Sequence, residues 1–130
     1  MNKVAVISAG SNTTDREFRV QQAIEFLLSN LTHASASSVY ESPAHNGKDA
    51  PYFNAVVVGV TDLSLDDFKA KLKQYEADSG RDEITRIEGI VPIDLDIVMW
   101  DGRIIRENDF ERPYFNRGYR ELLTAGAFEI

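Results

Sequence analysis

The sequence predicts an α+β fold built on an antiparallel sheet, and three observations lead there. Three apolar runs rich in β-branched residues and a fourth strand-like stretch, HASASSVYES, enclose two stretches whose apolar residues recur at helical intervals. Their order is β-α-β-β-α-β, and the two middle runs are joined by a short segment of turn residues rather than by a helix. With 130 residues, 43% of them hydrophobic, the chain is sized for a single domain over residues 1–130 with one core.

Each element has its own signal. KVAVISA, residues 3–9, is apolar and β-branched and stops at the turn cluster Gly10-Ser11-Asn12, so it reads as a buried strand. Thr14 and Glu17 have capping-box spacing and open a helix whose apolar face, Val20, Ile24, Leu27, Leu28 and Leu31, runs to about residue 31. HASASSVYES, ending at Pro43, is the second strand, and HNGKDAP at 45–51 is a loop. YFNAVVVGV is the strongest strand signal in the chain. Ser64 caps a second helix with the stripe Leu65, Phe68, Leu72 and Tyr75, and Gly80 ends it. Residues 81–92 show no clear period, IDLDIVM is the fourth strand, and the remainder from Asp101 is irregular apart from a short helix after Gly118. This is the split β-α-β arrangement called ferredoxin-like, an antiparallel sheet with its helices packed on one face.

Composition narrows the functional classes. With 21 acidic and 14 basic side chains the net charge of -7 opposes general binding to nucleic acid polymers or anionic membranes. There is no cysteine, which excludes disulfides and thiolate metal sites and is in keeping with a reducing cytoplasm. The first apolar run is too short for a signal peptide, and none approaches the roughly 18 residues of a membrane span. The expected partners are small molecules; oligomeric state cannot be read from the sequence.

The fourth strand poses the chemical question. Alternation puts Ile93, Leu95, Ile97 and Met99 on one face and Asp94, Asp96 and Val98 on the other. Two carboxylates i and i+2 on a strand have Cα atoms about 6.7 Å apart, and at an effective dielectric near 20 they repel by roughly 2.5 kcal/mol. Cations must offset that repulsion. Arginine or lysine neighbours would do so, and so would magnesium, which takes hard oxygen ligands from one or two carboxylates and completes its shell with water and phosphate.

No GxxxxGK[ST] or GxGxxG motif occurs, so a nucleotide would be held without a P-loop or Rossmann cradle. Arg81 and Arg86, then Arg112, Arg117 and Arg120, are candidate guanidinium forks for phosphate oxygens, against the alternative of solvated loop arginines. Tyr52 and Asn54 share a face at a strand entrance, where they could stack on and hydrogen-bond a flat heterocycle, although packing explains a tyrosine equally well. His33 and His45 are too few and too far apart for zinc, and Trp100 reads as a cover on the sheet edge.

Taken in order, GSN at 10–12, SVYESPAHNGKDAPYFNAVV at 38–57, EADSGR at 76–81, PIDLDIVMWDGRII at 92–105 and NRGY at 116–119 resemble hydroxymethyldihydropterin pyrophosphokinase of folate biosynthesis. The resemblance covers nearly the whole chain. It implies an enzyme that moves pyrophosphate from ATP to a pterin alcohol and releases AMP. It also implies two magnesium ions held by Asp94 and Asp96, with Arg81 and Arg117 handling phosphates. Glu76 and Ile97 would join them at the nucleotide. Tyr52 and Tyr119 would sandwich the pterin ring, the latter where the family usually has phenylalanine, while Asn54 and the backbone near Ser42 and Pro43 read its polar edge.

The chain departs from the family pattern in three places. Val91 stands where an arginine is expected and Glu88 where a tryptophan is common, and the loop after Pro113 is shorter and lacks the usual histidine. The family's long C-terminal extension does not follow. Loss of one preorganised cationic donor is worth about 3 kcal/mol of transition-state stabilisation, roughly a hundredfold in rate. A slow enzyme, a relative that keeps the pocket without turnover, and a regulatory module of the same fold all stay open on sequence alone.

Overall fold

A computed structural model of the chain describes residues 2–44 and 46–129; His45 lies outside them. The strands are β1 (Lys3–Ser11), β2 (Thr32–Ala36), β3 (Tyr40–Ser42), β4 (Tyr52–Thr61), β5 (Asp94–Trp100) and β6 (Arg103–Ile104). They form one antiparallel sheet of order β2-β4-β1-β5-β6, with β3 also pairing β4. The helices are α1 (Arg16–Asn30), α2 (Leu65–Asp78), α3 (Glu83–Ile87), α4 (Glu107–Phe110) and α5 (Pro113–Thr124). The ferredoxin-like order is therefore present, with β1 at the centre between β4 and β5. No helix among the described residues is long and apolar enough to cross a membrane.

The two long helices of the pattern share one face. Val20, Ala23, Ile24 and Leu27 of α1 and Phe68 and Leu72 of α2 pack on Ala5, Ile7, Ala9, Ala55, Val57, Leu95 and Ile97 of the sheet. Ser64 caps α2 as its position implies, its hydroxyl accepting the Asp67 N–H at 3.1 Å. At α1 the capping box from Thr14 is not formed: the helix starts at Arg16, because the Thr13 hydroxyl donates to Asp15 and folds the entry into a turn. Residues 33–42 are not one strand. The Ser37 hydroxyl accepts the Val56 N–H at 2.9 Å, and the chain leaves the ladder between β2 and β3.

The opposite face is covered as well, by an element the sequence reading places too late and makes too short. Helix α5 begins at Pro113, a favoured first helical position, and lays Phe115 and Leu122 on Val6, Val56, Val58 and Val98. Gly118 makes the close approach possible, since a Cβ there would sit 2.7 Å from both the Tyr40 hydroxyl and Val56 Cγ2. Strand β5 bulges where β1 passes from Val6 to Ile7. Met99 consequently turns toward α5, and Trp100 enters the α1/α2 core, 5% exposed and 6.1 Å from the Phe68 ring centroid, instead of covering an edge.

Tyr40 ties α5 to the sheet. Its hydroxyl donates to the Tyr114 carbonyl at 2.6 Å and accepts the Gly118 N–H at 3.0 Å. Burial pushes the phenol up to about 12. Because the unfolded phenol ionises near 10, the stability tied to the neutral form is complete below pH 10 and falls by about 2–3 kcal/mol as the pH rises through 12. Tyr40→Phe should cost about 1–3 kcal/mol at pH 7 by orphaning a buried N–H. In urea unfolding followed by circular dichroism, the gap between wild type and variant should then narrow between pH 10 and 12.

Candidate active site

A cleft of about 590 Å³ opens on the α5 side of the sheet, at the end where β1, β4 and β5 come together. Its floor follows from register. Gly10 of β1 faces Asn54 of β4 on one side and Asp94 of β5 on the other, and Ser8 faces Asp96. Asn54 and Asp94 thus stand two strand spacings apart, about 10 Å between Cα atoms. The residue between them has no side chain, so the floor is open there.

At the β4 end the cleft is lined by Tyr52, Asn54, Ser42, Pro43 and Ala44. Asn54 is buried at 3% exposure, and its Nδ2 donates to the Ser42 hydroxyl at 2.7 Å. Tyr52 is half-buried, and burial, followed by the nearby Asp94 charge, raises its pKa. This end offers an aromatic face beside amide and hydroxyl groups, the chemistry that suits a polar heterocycle.

At the β5 end the two aspartates face the cleft together. Asp94 Oδ1 accepts from Arg81 Nη1 at 2.8 Å. Arg106 Nη1 stands 3.8 Å from Asp96 Oδ1. Burial, followed by the Asp94 charge, pushes the Asp96 carboxyl up to about 8. Burial acts upward on Asp94 too, but a hydrogen bond shared with Asp96 and the Arg81 guanidinium outweigh it and hold that carboxyl below the usual value. The pair behaves as one unit that keeps a proton.

Glu76 lies behind this end and is 4% exposed. It accepts the Leu95 N–H at 2.7 Å and pairs with Arg81 at 3.1 Å and Lys73 at 3.3 Å, so it braces both β5 and the arginine that meets Asp94. It is not part of the cleft lining, nor is Ile97, which is buried in the α1/α2 core. Arg117 and Tyr119 are not brought to the cleft either. The Arg117 guanidinium sits over the Tyr40 ring at 4.9 Å. Tyr119 packs among Phe110, Phe115 and Phe128 at centroid distances of 5.2–5.6 Å, because α5 turns that side inward to cover the sheet. Tyr52 and Tyr119 therefore do not form two sides of one slot.

The cleft also has a wall made by Arg106, Asp109, Arg112 and Tyr114, of which the sequence singled out Arg112 alone. Arg106 Nε and the Tyr114 hydroxyl both donate to Asp109. The signal was an arginine and an aspartate three residues apart just after the aspartate strand, where the Asp101-Gly102 turn sends the chain back beside β5.

Residues 6–123 match the 7,8-dihydro-6-hydroxymethylpterin-pyrophosphokinase family. The 2-amino-4-hydroxy-6-hydroxymethyldihydropteridine pyrophosphokinase of Haemophilus influenzae is 31% identical over 129 residues, covering 97% of this chain and 80% of that protein. The Bacillus subtilis protein of the same name is 33% identical over 133 residues, covering 100% and 79%. The folic acid synthesis protein FOL1 of Dictyostelium discoideum is 32% identical over 114 residues, which span 87% of this chain and 17% of that longer protein. On a match of this extent the chain belongs to the 7,8-dihydro-6-hydroxymethylpterin-pyrophosphokinase family, the ATP-dependent pyrophosphokinases of folate synthesis.

Proposed function

We propose that this chain transfers the pyrophosphoryl group of ATP to the hydroxymethyl oxygen of 6-hydroxymethyl-7,8-dihydropterin and releases AMP, with magnesium held by Asp94 and Asp96. The observation that carries the reading is that one cleft holds a heterocycle station, Tyr52 with Asn54 and Ser42, and a carboxylate station, Asp94 with Asp96, on either side of Gly10. The reaction joins a flat ring to a triphosphate, and a cleft of this size suits two such ligands side by side.

The donor set suits magnesium. Both groups are hard oxygen ligands on one face of a strand, and their hold on a proton up to about pH 8 marks a place short of positive charge. Two ions are part of the reading, with the remaining ligands drawn from phosphate oxygens and water. Bound there, magnesium would draw charge from the bridging oxygens and ease the departure of AMP. The protein's own contributions are positional. Arg81, braced by Glu76, fixes the Asp94 carboxylate. Tyr52 offers its ring to the pterin, and Asn54, oriented by Ser42, reads the polar edge. The pterin hydroxyl is then aligned on the β-phosphorus, its proton leaves to solvent, and the bond to the AMP oxygen breaks.

A second reading, a relative that binds pterin with little turnover, is favoured by Val91. Its backbone is clamped by Asn12, with Val91 N–H to Asn12 Oδ1 at 2.6 Å, and the side chain brings no charge to the cleft. Calorimetry that finds pterin binding in a protein forming no AMP would select it.

The direct test is AMP formation from ATP, magnesium and the pterin alcohol. Asp94→Asn and Asp96→Asn should each lower kcat/KM by more than about a hundredfold, and a wild type that forms no AMP above the double variant overturns the proposal. A second outcome follows from the raised Asp96 pKa. In the ligand-free, chelator-treated protein the stability associated with that proton is complete below pH 4 and is lost as the pH rises through 8. Asp96→Asn should therefore melt higher than wild type at pH 8.5, with a smaller difference at pH 5.

A further inference from the structure

Transfer of a phosphoryl chain calls for a cation free to meet its oxygens, and two arginines expected in that duty are engaged elsewhere. Arg81 Nη1 already serves Asp94 at 2.8 Å, Glu76 at 3.1 Å and the Ile93 carbonyl at 3.4 Å. Arg117 lies over Tyr40 and outside the cleft lining. Arg86 pairs with Glu83 and is 71% exposed.

Arg106 is placed differently. It stands at the entry to α4, in the wall of the cleft, with Nε donating to Asp109. Asp109 is itself held by the Tyr114 hydroxyl from α5, so the guanidinium is aimed by a group anchored on a second element. Beyond Nε, no side-chain hydrogen bond occupies the guanidinium among the described residues. Nη1 is 3.8 Å from Asp96, outside hydrogen-bonding distance, and the side chain is 49% exposed. A planar fork with unspent N–H groups, oriented from behind and facing the aspartate pair, matches the oxygens of a phosphate chain. Arg112 lines the same wall, but no hydrogen bond orients its side chain among the described residues.

We infer that Arg106 is a substrate-binding residue for the phosphate chain of the nucleotide, with Asp109 as the residue that positions it. The inference rests on the pyrophosphokinase reading above and adds a specific cation to it.

Calorimetry with the full chain, magnesium and α,β-methylene-ATP, alongside titration with 6-hydroxymethylpterin, tests it. Arg106→Ala should weaken the nucleotide analogue by about ten- to a hundredfold, the loss expected for hydrogen bonds to a charged group, and leave pterin affinity unchanged. Arg106→Lys should recover part of the loss, since it restores charge without the fork. Asp109→Asn should weaken the analogue less than Arg106→Ala does. Unchanged analogue affinity in Arg106→Ala, or equal losses for analogue and pterin, overturns the inference. If that happens in a protein whose wild type binds the analogue and forms AMP, this inference falls alone. A wild type that does neither overturns it together with the underlying reading.

Discussion

One line of alternating charge organises the site, and it has a single fault. From α2 to α4 it runs Lys73, Glu76, Arg81, Asp94, Asp96, Arg106, Asp109, each neighbour opposite in sign except at the step from Asp94 to Asp96. Four carboxyls meet three cations, and the proton held by Asp96 supplies the missing positive charge. Exposed pairs such as Arg86 with Glu83 contribute little to stability. The inner members differ, because Glu76 is buried, bonds the β5 backbone, and would leave an uncompensated charge if Arg81 were removed.

The fold was legible wherever hydrophobic period and turn chemistry agree. Ser64, the stripe through Phe68 and Leu72, and the run from Tyr52 to Thr61 lie where the pattern puts them. Helix α5 was less so, since its apolar positions, Phe115, Tyr119 and Leu122, are interleaved with Arg117 and Arg120 over only three turns. The demand for it was nonetheless written in the strands. Val4 to Ile7 and Ala55 to Val58 are continuously apolar instead of alternating, which is the pattern of a sheet buried on both faces. An open face behind those valines was never consistent with their sequence.

The site was legible along strands and opaque across loops. Asp94 with Asp96, and Tyr52 with Asn54, share faces by the period of two that any strand imposes. That the two pairs meet at Gly10 depends on strand order and register, which the element pattern also constrains. Arg106 and Tyr114 reach the cleft because a two-residue turn and a helix return the chain there, and no local period records such a return. Tyr119 shows the same limit from the other side: the family resemblance gave it a ligand's place, whereas packing gave it a place among aromatic rings.

Guanidinium partners for the aspartates were one of two ways to offset their repulsion, and their presence bears on whether the pair needs a metal at all. Had Arg81 and Arg106 neutralised the pair, both carboxyls would hold lowered pKa values, as Asp94 does. Asp96 instead moves far in the opposite direction. Burial is the first reason and the Asp94 charge the second, and the cations do not cancel them: Arg81 is shared between Asp94 and Glu76, and Arg106, which donates to Asp109, stays 3.8 Å from Asp96. The acids behind and beside the pair restrain the very cations that would satisfy it. On the reading proposed above, that deficit of positive charge beside two oxygen donors is what magnesium would meet.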